Sequence, residues 1–413
     1  MMNKLHSPLS LKNGVVIKNR FLKSATSEQL GDKKHNPKPA LAQAYRRWAK
    51  GGTGLSVSGN IMIDRTALGE PKNVVLDGQS DLSAFKQWTA GGTENGTHFW
   101  AQLNHPGKQS PFILSKQPVA PSAVALRGGI EKGFNTPRAL TENEILDLIK
   151  KFATAARLSK EVGFTGVQIH GAHGYLVSQF HSPHHNRRSD RWGGSMQNRM
   201  RFVLEIYKAM RAEVGDGFPI GIKLNSADFQ KGGFTQAESM QVIEALTKAG
   251  IDLIEISGGT YESPAMMGAD KRSKPQKDST KKREAYFLSY AEQVREVSDI
   301  PLVVTGGFRS SAGMRDAIAS GATDMVGLAR PIILYPDIPN NAMADAGYEV
   351  DLKEPTTGSK VVDTMTMMAL IWFEEQIHMM GKGKEPNPNL SAWKAAFNNS
   401  LRMGGAAFKP RRA

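Results

Sequence analysis

The sequence predicts an α/β protein built as a (β/α)8 TIM barrel, with an N-terminal hairpin cap and a C-terminal helical extension. Short segments rich in β-branched residues alternate with long amphipathic ones along most of the chain, the pattern of a parallel sheet with crossover helices. Eight such units can be counted, which favours a closed barrel over an open doubly wound sheet. Chemically distinctive residues also cluster at the C-terminal ends of the strand segments, where barrels gather their functional groups.

In chain order, Leu9 to Lys18 (LSLKNGVVIK) is a hairpin pattern with Asn-Gly at its turn, placed to close the bottom of the barrel. The eight strand segments are Arg20 to Ser27, Thr53 to Gly59, Thr97 to Leu103, Gly166 to His170, Pro219 to Asn225, Ile251 to Ser257, Pro301 to Gly306 and Thr323 to Leu328. Helical patterns lie between them; Thr141 to Val162 opens on a Thr-x-x-Glu capping box of Thr141 and Glu144. The residues after the eighth strand read as polar peripheral helices, with loops at Asp351 to Lys360 and Gly381 to Asn389. The expected division is a barrel over residues 1–340 and an extension over 341–413 packed on it.

At 413 residues, 40% hydrophobic and 22% charged, the chain can build a large buried core. No apolar run approaches the roughly 20 residues that span a bilayer, and MMNKLHSPLS lacks the apolar stretch of a secretory signal, so a cytoplasmic protein with no membrane partner is expected. The absence of cysteine excludes disulfides, thiolate zinc sites, cysteine-ligated iron–sulfur clusters and thiol nucleophiles within this sequence. The net charge of +14 comes from scattered residues and two denser runs, Lys271 to Arg283 and Lys409 to Ala413. Both read as solvated loop or tail, and no motif points to a nucleic-acid partner.

Strand four runs into HGAHGYL, placing His170, His173 and Tyr175 on one strand-end loop. Two imidazoles there can hydrogen-bond one carbonyl oxygen while a phenol supplies a proton nearby. A packed histidine beside a surface one, or a metal site with His181, His184 and His185, would give the same letters. Strands seven and eight end in Gly306-Gly307 and in Gly327-Leu328-Ala329-Arg330, where glycine lets backbone N–H groups approach an anion; two such ends on adjacent strands point to a phosphate-bearing ligand. In strand five, Lys223 alternates with apolar residues and points into the barrel, calling for an anionic ligand or for a carboxylate such as Asp228 or Glu255. The loop with Asn186, Arg188, Asp190, Gly193, Gly194, Ser195, Asn198 and Arg199 reads as self-bonded and capping the next helix at Ser195.

HGAHGYL followed by N-x-R-x-D-x-x-G-G-S-x-x-N-R resembles the old yellow enzyme family of FMN-dependent ene-reductases. The likeness extends from KNRFLKSATSE (Lys18 to Glu28) through GTHFWAQLNHPG (Gly96 to Gly107) to TGGFR and GLARP. It implies FMN as cofactor, NADPH or NADH as electron donor, and a small α,β-unsaturated carbonyl compound as substrate, with oligomeric state left open. By that resemblance Ser27 bonds the flavin near its O4 and N5 edge, Gly59 leaves room beside the ring, and Gln102 pairs with the pyrimidine. Lys223 sits by N1 and C2=O, while Gly306, Gly307, Ala329 and Arg330 cradle the phosphate. His170 and His173 then activate the substrate and Tyr175 donates the proton. The chain departs from many relatives in having Ser27, Glu28 and Gln29 after strand one, and lysine rather than arginine at 223, which loses the bidentate fork. Without cysteine, electrons are expected directly from the nicotinamide, which the first basic run could attract. The rival readings are a metal-dependent barrel hydrolase using the histidine cluster and a non-catalytic barrel that binds a phosphate-bearing ligand.

Overall fold

Eight parallel strands close on themselves in a computed structural model that describes residues 4–258 and 276–403. They are β1 (Phe21–Lys23), β2 (Leu55–Met62), β3 (His98–Asn104), β4 (Gly166–Gly171), β5 (Ile220–Asn225), β6 (Leu253–Ser257), β7 (Leu302–Thr305) and β8 (Met325–Leu328). Each pairs with its sequence neighbours, and β8 returns to β1 through Val326 opposite Phe21 and Leu328 opposite Lys23. All eight lie where the sequence puts them. β1 stops at Lys23, because Ser24 to Ser27 leave the ladder at the barrel mouth, and β2 runs past Gly59 to Met62 across a register shift between Val57 and Asn60.

The two-residue alternation of strands sorts side chains between barrel interior and helix layer. Leu22, Leu55, Val57, Trp100, Leu253, Val303 and Met325 fill the lower interior and pack with Leu9, Leu11 and Ile17 of the N-terminal hairpin, which plugs the bottom. Trp100 is fully buried there because β4 and β5 pass it with glycine: a Cβ at Gly166 would lie 2.5 Å from its Nε1, and one at Gly221 would lie 2.8 Å from its Cζ3.

Outside run α1 (Pro39–Lys50), α2 (Leu82–Gly92), α3 (Glu142–Glu161), α4 (Arg201–Val214), α5 (Gln236–Ala249), α6 (Gln276–Arg295) and α7 (Ser311–Ala319). The Thr141 and Glu144 capping box at α3 is formed in both directions. Residues Gln276 to Arg283 of the first basic run, expected as loop, have helical backbone and open α6; Lys271 to Pro275 and the terminal basic run lie outside the described residues. No described helix is long and apolar enough to cross a membrane.

The chain after β8 forms α8 (Arg330–Leu334), α9 (Ile338–Ala344), α10 (Lys360–Met365), α11 (Met368–Met380) and α12 (Ala392–Met403). The expectation of a polar peripheral tail is corrected at α11. Its Ile371, Trp372, Phe373, Ile377 and Met380 join the main apolar core with Leu41 and Trp48 of α1, and Glu374, Gln376 and His378 are buried too.

Candidate active site at the barrel mouth

Above the apolar floor, the next inward position is polar on six of the strands, with Ser24, Gln102, Gln168, Lys223, Glu255 and Thr305, and is glycine on β2 (Gly59) and β8 (Gly327). Lys223 of β5 lies opposite Glu255 of β6, and their Nζ and Oε1 are 3.0 Å apart with both side chains buried. Ser24 accepts from the Lys223 ammonium at 2.8 Å and donates to Glu255 Oε1 at 2.5 Å. Thr305 donates to the same oxygen at 2.7 Å, while Gln168 donates to Oε2 at 2.8 Å and accepts from Gln102 Nε2 at 2.7 Å. Burial alone would raise the Glu255 carboxyl, but the Lys223 ammonium and three hydroxyl and amide donors outweigh it and hold the group below the ordinary glutamate value. Of the partners the sequence offered Lys223, the described structure forms the carboxylate one, with Glu255; Asp228 instead accepts from Asn225 and from the Phe234 N–H.

The rim carries the histidines and tyrosine together. The His170 ring centroid lies 5.2 Å from that of His173 and 4.8 Å from that of Tyr175. His173 takes a left-handed backbone, φ 62°, held by its N–H donating to Asn225 Oδ1 (3.2 Å) and its carbonyl accepting from Gln109 Nε2 (3.0 Å). Its Nε2 is 2.7 Å from Ser257 Oγ. Burial, reinforced by the Lys223 charge, lowers the His173 imidazole to about 3, so it is neutral at pH 7. The buried Tyr175 begins the short helix Leu176–His181, and Asn60 Nδ2 donates to its hydroxyl at 3.4 Å.

Where β1 and β2 end, Ser27 Oγ lies within hydrogen-bond distance of a carboxylate oxygen of Glu70 (2.6 Å) and of Glu374 of α11 (2.9 Å), with one proton to donate between them. Gly59 leaves no room for a side chain: a Cβ would lie 2.6 Å from the Thr26 carbonyl oxygen and 2.8 Å from the Glu28 carboxylate. Beneath this corner Lys23 is wholly buried, donating to Tyr45 (2.9 Å) and the Val57 carbonyl (3.1 Å), with Glu28 at 3.5 Å. Burial pulls this lysine down to about 8 against the pull of Glu28. Opposite, Gly306 and Gly307 take φ of 120° and 89°, and a Cβ on Gly306 would meet open space. Ala329 turns the chain into α8, and Arg330 reaches Glu354 at 2.7 Å.

The rest of the histidine-rich loop does not converge. Lys108 Nζ is 2.9 Å from His185 Nδ1, His181 stacks on Phe234, and among the described residues no three His, Asp or Glu side chains form a group that could hold a metal. The following loop bonds to itself through Arg188 to Asp190 and Asn186 to the Phe180 and Trp192 carbonyls, and Ser195 caps the next helical turn as expected.

Residues 4–346 match the model of the NADH:flavin oxidoreductase / NADH oxidase family. The chain belongs to that family. It is 37% identical over 386 residues to the NADH-dependent flavin oxidoreductase iliE of Hypocrea jecorina (strain QM6a), covering 88% of this chain and 94% of that one. A second iliE protein, from Neonectria sp. (strain DH2), is 39% identical over 368 residues, which span 83% of this chain but 48% of the relative's length. Among solved structures, an old yellow enzyme homologue from Zymomonas mobilis superposes with a TM-score of 0.71 at 25% identity, over 85% of this chain and 95% of that one. A 2-naphthoyl-CoA reductase in complex with 2-naphthoyl-CoA gives 0.75 at 28% identity, over 83% and 52%. The flavin-oxidoreductase likeness bears out the resemblance read from HGAHGYL and lends no support to the hydrolase.

This NAD(P)H:flavin oxidoreductase of the old yellow enzyme family uses FMN with NAD(P)H as electron donor, and the mouth fits that cofactor. Thr26 Oγ1 and Asn104 Oδ1, at the ends of β1 and β3, are buried without a hydrogen-bond partner among the described residues. A heterocycle lined with N–H, C=O and ring nitrogen can satisfy them. The open backbone at Gly306 suits a phosphate. Strand alternation could have flagged Gln168, missed in the sequence, since it has the same inward parity as His170. No sequence signal links Glu374 to Ser27, because that contact joins residues 347 positions apart.

Proposed function

We propose that the chain is an ene-reductase that saturates the carbon–carbon double bond of α,β-unsaturated carbonyl compounds by ping-pong turnover. When bound, FMN would supply the hydride chemistry that links NAD(P)H to the substrate double bond. Ser27, Gly59, Gln102 and Lys223 line the isoalloxazine, and Gly306, Gly307, Ala329 and Arg330 hold the phosphate; for that, Arg330 exchanges its Glu354 partner for the phosphate. The barrel over residues 1–340 carries this site, and the 341–413 extension supports it.

The observation that carries the reading is the convergence of His170, His173 and Tyr175 on one rim, with His173 neutral. A neutral imidazole donates a hydrogen bond to the carbonyl oxygen without carrying a charge that would bind the product enolate too firmly. Polarisation of the carbonyl drains density from the β-carbon, and the Tyr175 hydroxyl, steadied by Asn60, gives its proton to the α-carbon. In rapid-mixing experiments, Tyr175→Phe should slow the reaction of reduced enzyme with an enone by about 100-fold or more and leave reduction by NAD(P)H nearly unchanged. Equal slowing of both halves would remove Tyr175 from that role.

A further inference from the structure

We propose that Glu255 is a positioning residue that sets the charge and hydrogen-bond polarity the barrel interior presents to the flavin. The proposal rests on the FMN site described above, with Lys223 beside the isoalloxazine. A lone lysine there would offer the ring a full positive charge. The structure instead pairs Lys223 with Glu255 at 3.0 Å, with the two side chains 4% and 0% exposed. In so dry a site neither charge is masked by water, and the pair acts on a neighbour as a dipole rather than as a cation. Ser24, Thr305 and Gln168 all aim donors at the same carboxylate, which fixes it in place.

The carboxylate also dictates how two amides point. An ionised carboxylate only accepts, so Gln168 must turn its NH2 toward Glu255 and its carbonyl oxygen toward Gln102. Gln102 therefore spends an N–H on Gln168 and keeps its carbonyl oxygen for the ligand. One fully buried acid thus governs two of the residues assigned to the ring.

The test compares FMN-loaded wild type with Glu255→Gln, Glu255→Asp and Lys223→Gln. Two quantities are read: the reduction potential of the bound flavin, by equilibration with a reference dye, and the dissociation constant for sulfite, an anion that reports positive charge beside oxidised flavin. Glu255→Gln uncovers the Lys223 cation, so the potential should move to more positive values and the sulfite constant should fall by about tenfold or more. Lys223→Gln should move both the other way. Glu255→Asp draws the carboxylate back by one methylene and should shift both readings in the same direction as Glu255→Gln by a smaller step; it decides the matter if Glu255→Gln does not fold. If Lys223→Gln shifts the readings while the glutamate variants match wild type, Glu255 has no such role, although the site reading stands. If none of the three changes either reading, Lys223 is not beside the flavin and both fall.

Discussion

His173 is neutral where an exposed histidine would titrate, because burial and the Lys223 charge together drive its imidazole to about 3. Its ring resonances, identified by their loss in His173→Asn, should not shift between pH 8 and 5; a titration near 6.5 would contradict the assigned hydrogen-bond role. Gly59 sets the other limit at this scale. Gly59→Ala drives a methyl against the Thr26 carbonyl and the Glu28 carboxylate, and should displace the end of β1, lowering the melting temperature and weakening FMN binding by about tenfold in a fluorescence titration. The motif residues His170, His173 and Tyr175 were legible because one loop carries all three. The Lys223 partnership was legible only as a choice between an anionic ligand and a carboxylate such as Asp228 or Glu255, since a strand pattern gives the inward parity of both Lys223 and Glu255 but not the hydroxyl and amide donors that settle the carboxylate.

Among the elements, α11 departs furthest from its sequence pattern. A polar face normally marks solvent, yet each buried polar side chain here has its own partner: Glu374 takes Ser27 and Gln29, Glu375 takes Asn398 and Arg402, Gln376 takes Asn387, and His378 takes the Glu28 carbonyl. Those partners come from the segment that follows β1 and from the extension itself, so periodicity alone could not reveal them. Three of these bonds brace the segment that carries Ser27. Deleting residues 351–413 should therefore lower both thermal stability and FMN occupancy, as read by differential scanning fluorimetry and the flavin-to-protein absorbance ratio; full occupancy at unchanged stability would show that α11 does not support the mouth. The strands were legible because alternation and β-branching are local properties, as was the hairpin from its Asn-Gly turn.

For the whole molecule, burial holds His105 at about 4 and His173, His181 and His378 at about 3, against an ordinary value near 6.5. The unfolded chain takes up protons below about 6.5 where the folded chain does not. Their stabilisation is thus fully present above that pH and is lost as pH falls from 6.5 toward 3, by up to about 1.4 kcal/mol per pH unit for each histidine. The melting temperature should drop between pH 6.5 and 5, a window above the carboxylate range, and a flat profile there would contradict neutral burial of these rings. The same closed barrel joins the strand-end residues into one mouth, and the proposed function has this mouth run both halves of an ene-reductase cycle on FMN. The most direct test is the visible spectrum of the purified protein under anaerobic conditions, before and after NADPH and then cyclohexenone. Flavin bands that bleach with NADPH and return with the enone are the predicted result; a protein that cannot be loaded with FMN, or whose reduced flavin the enone does not reoxidise, would contradict it.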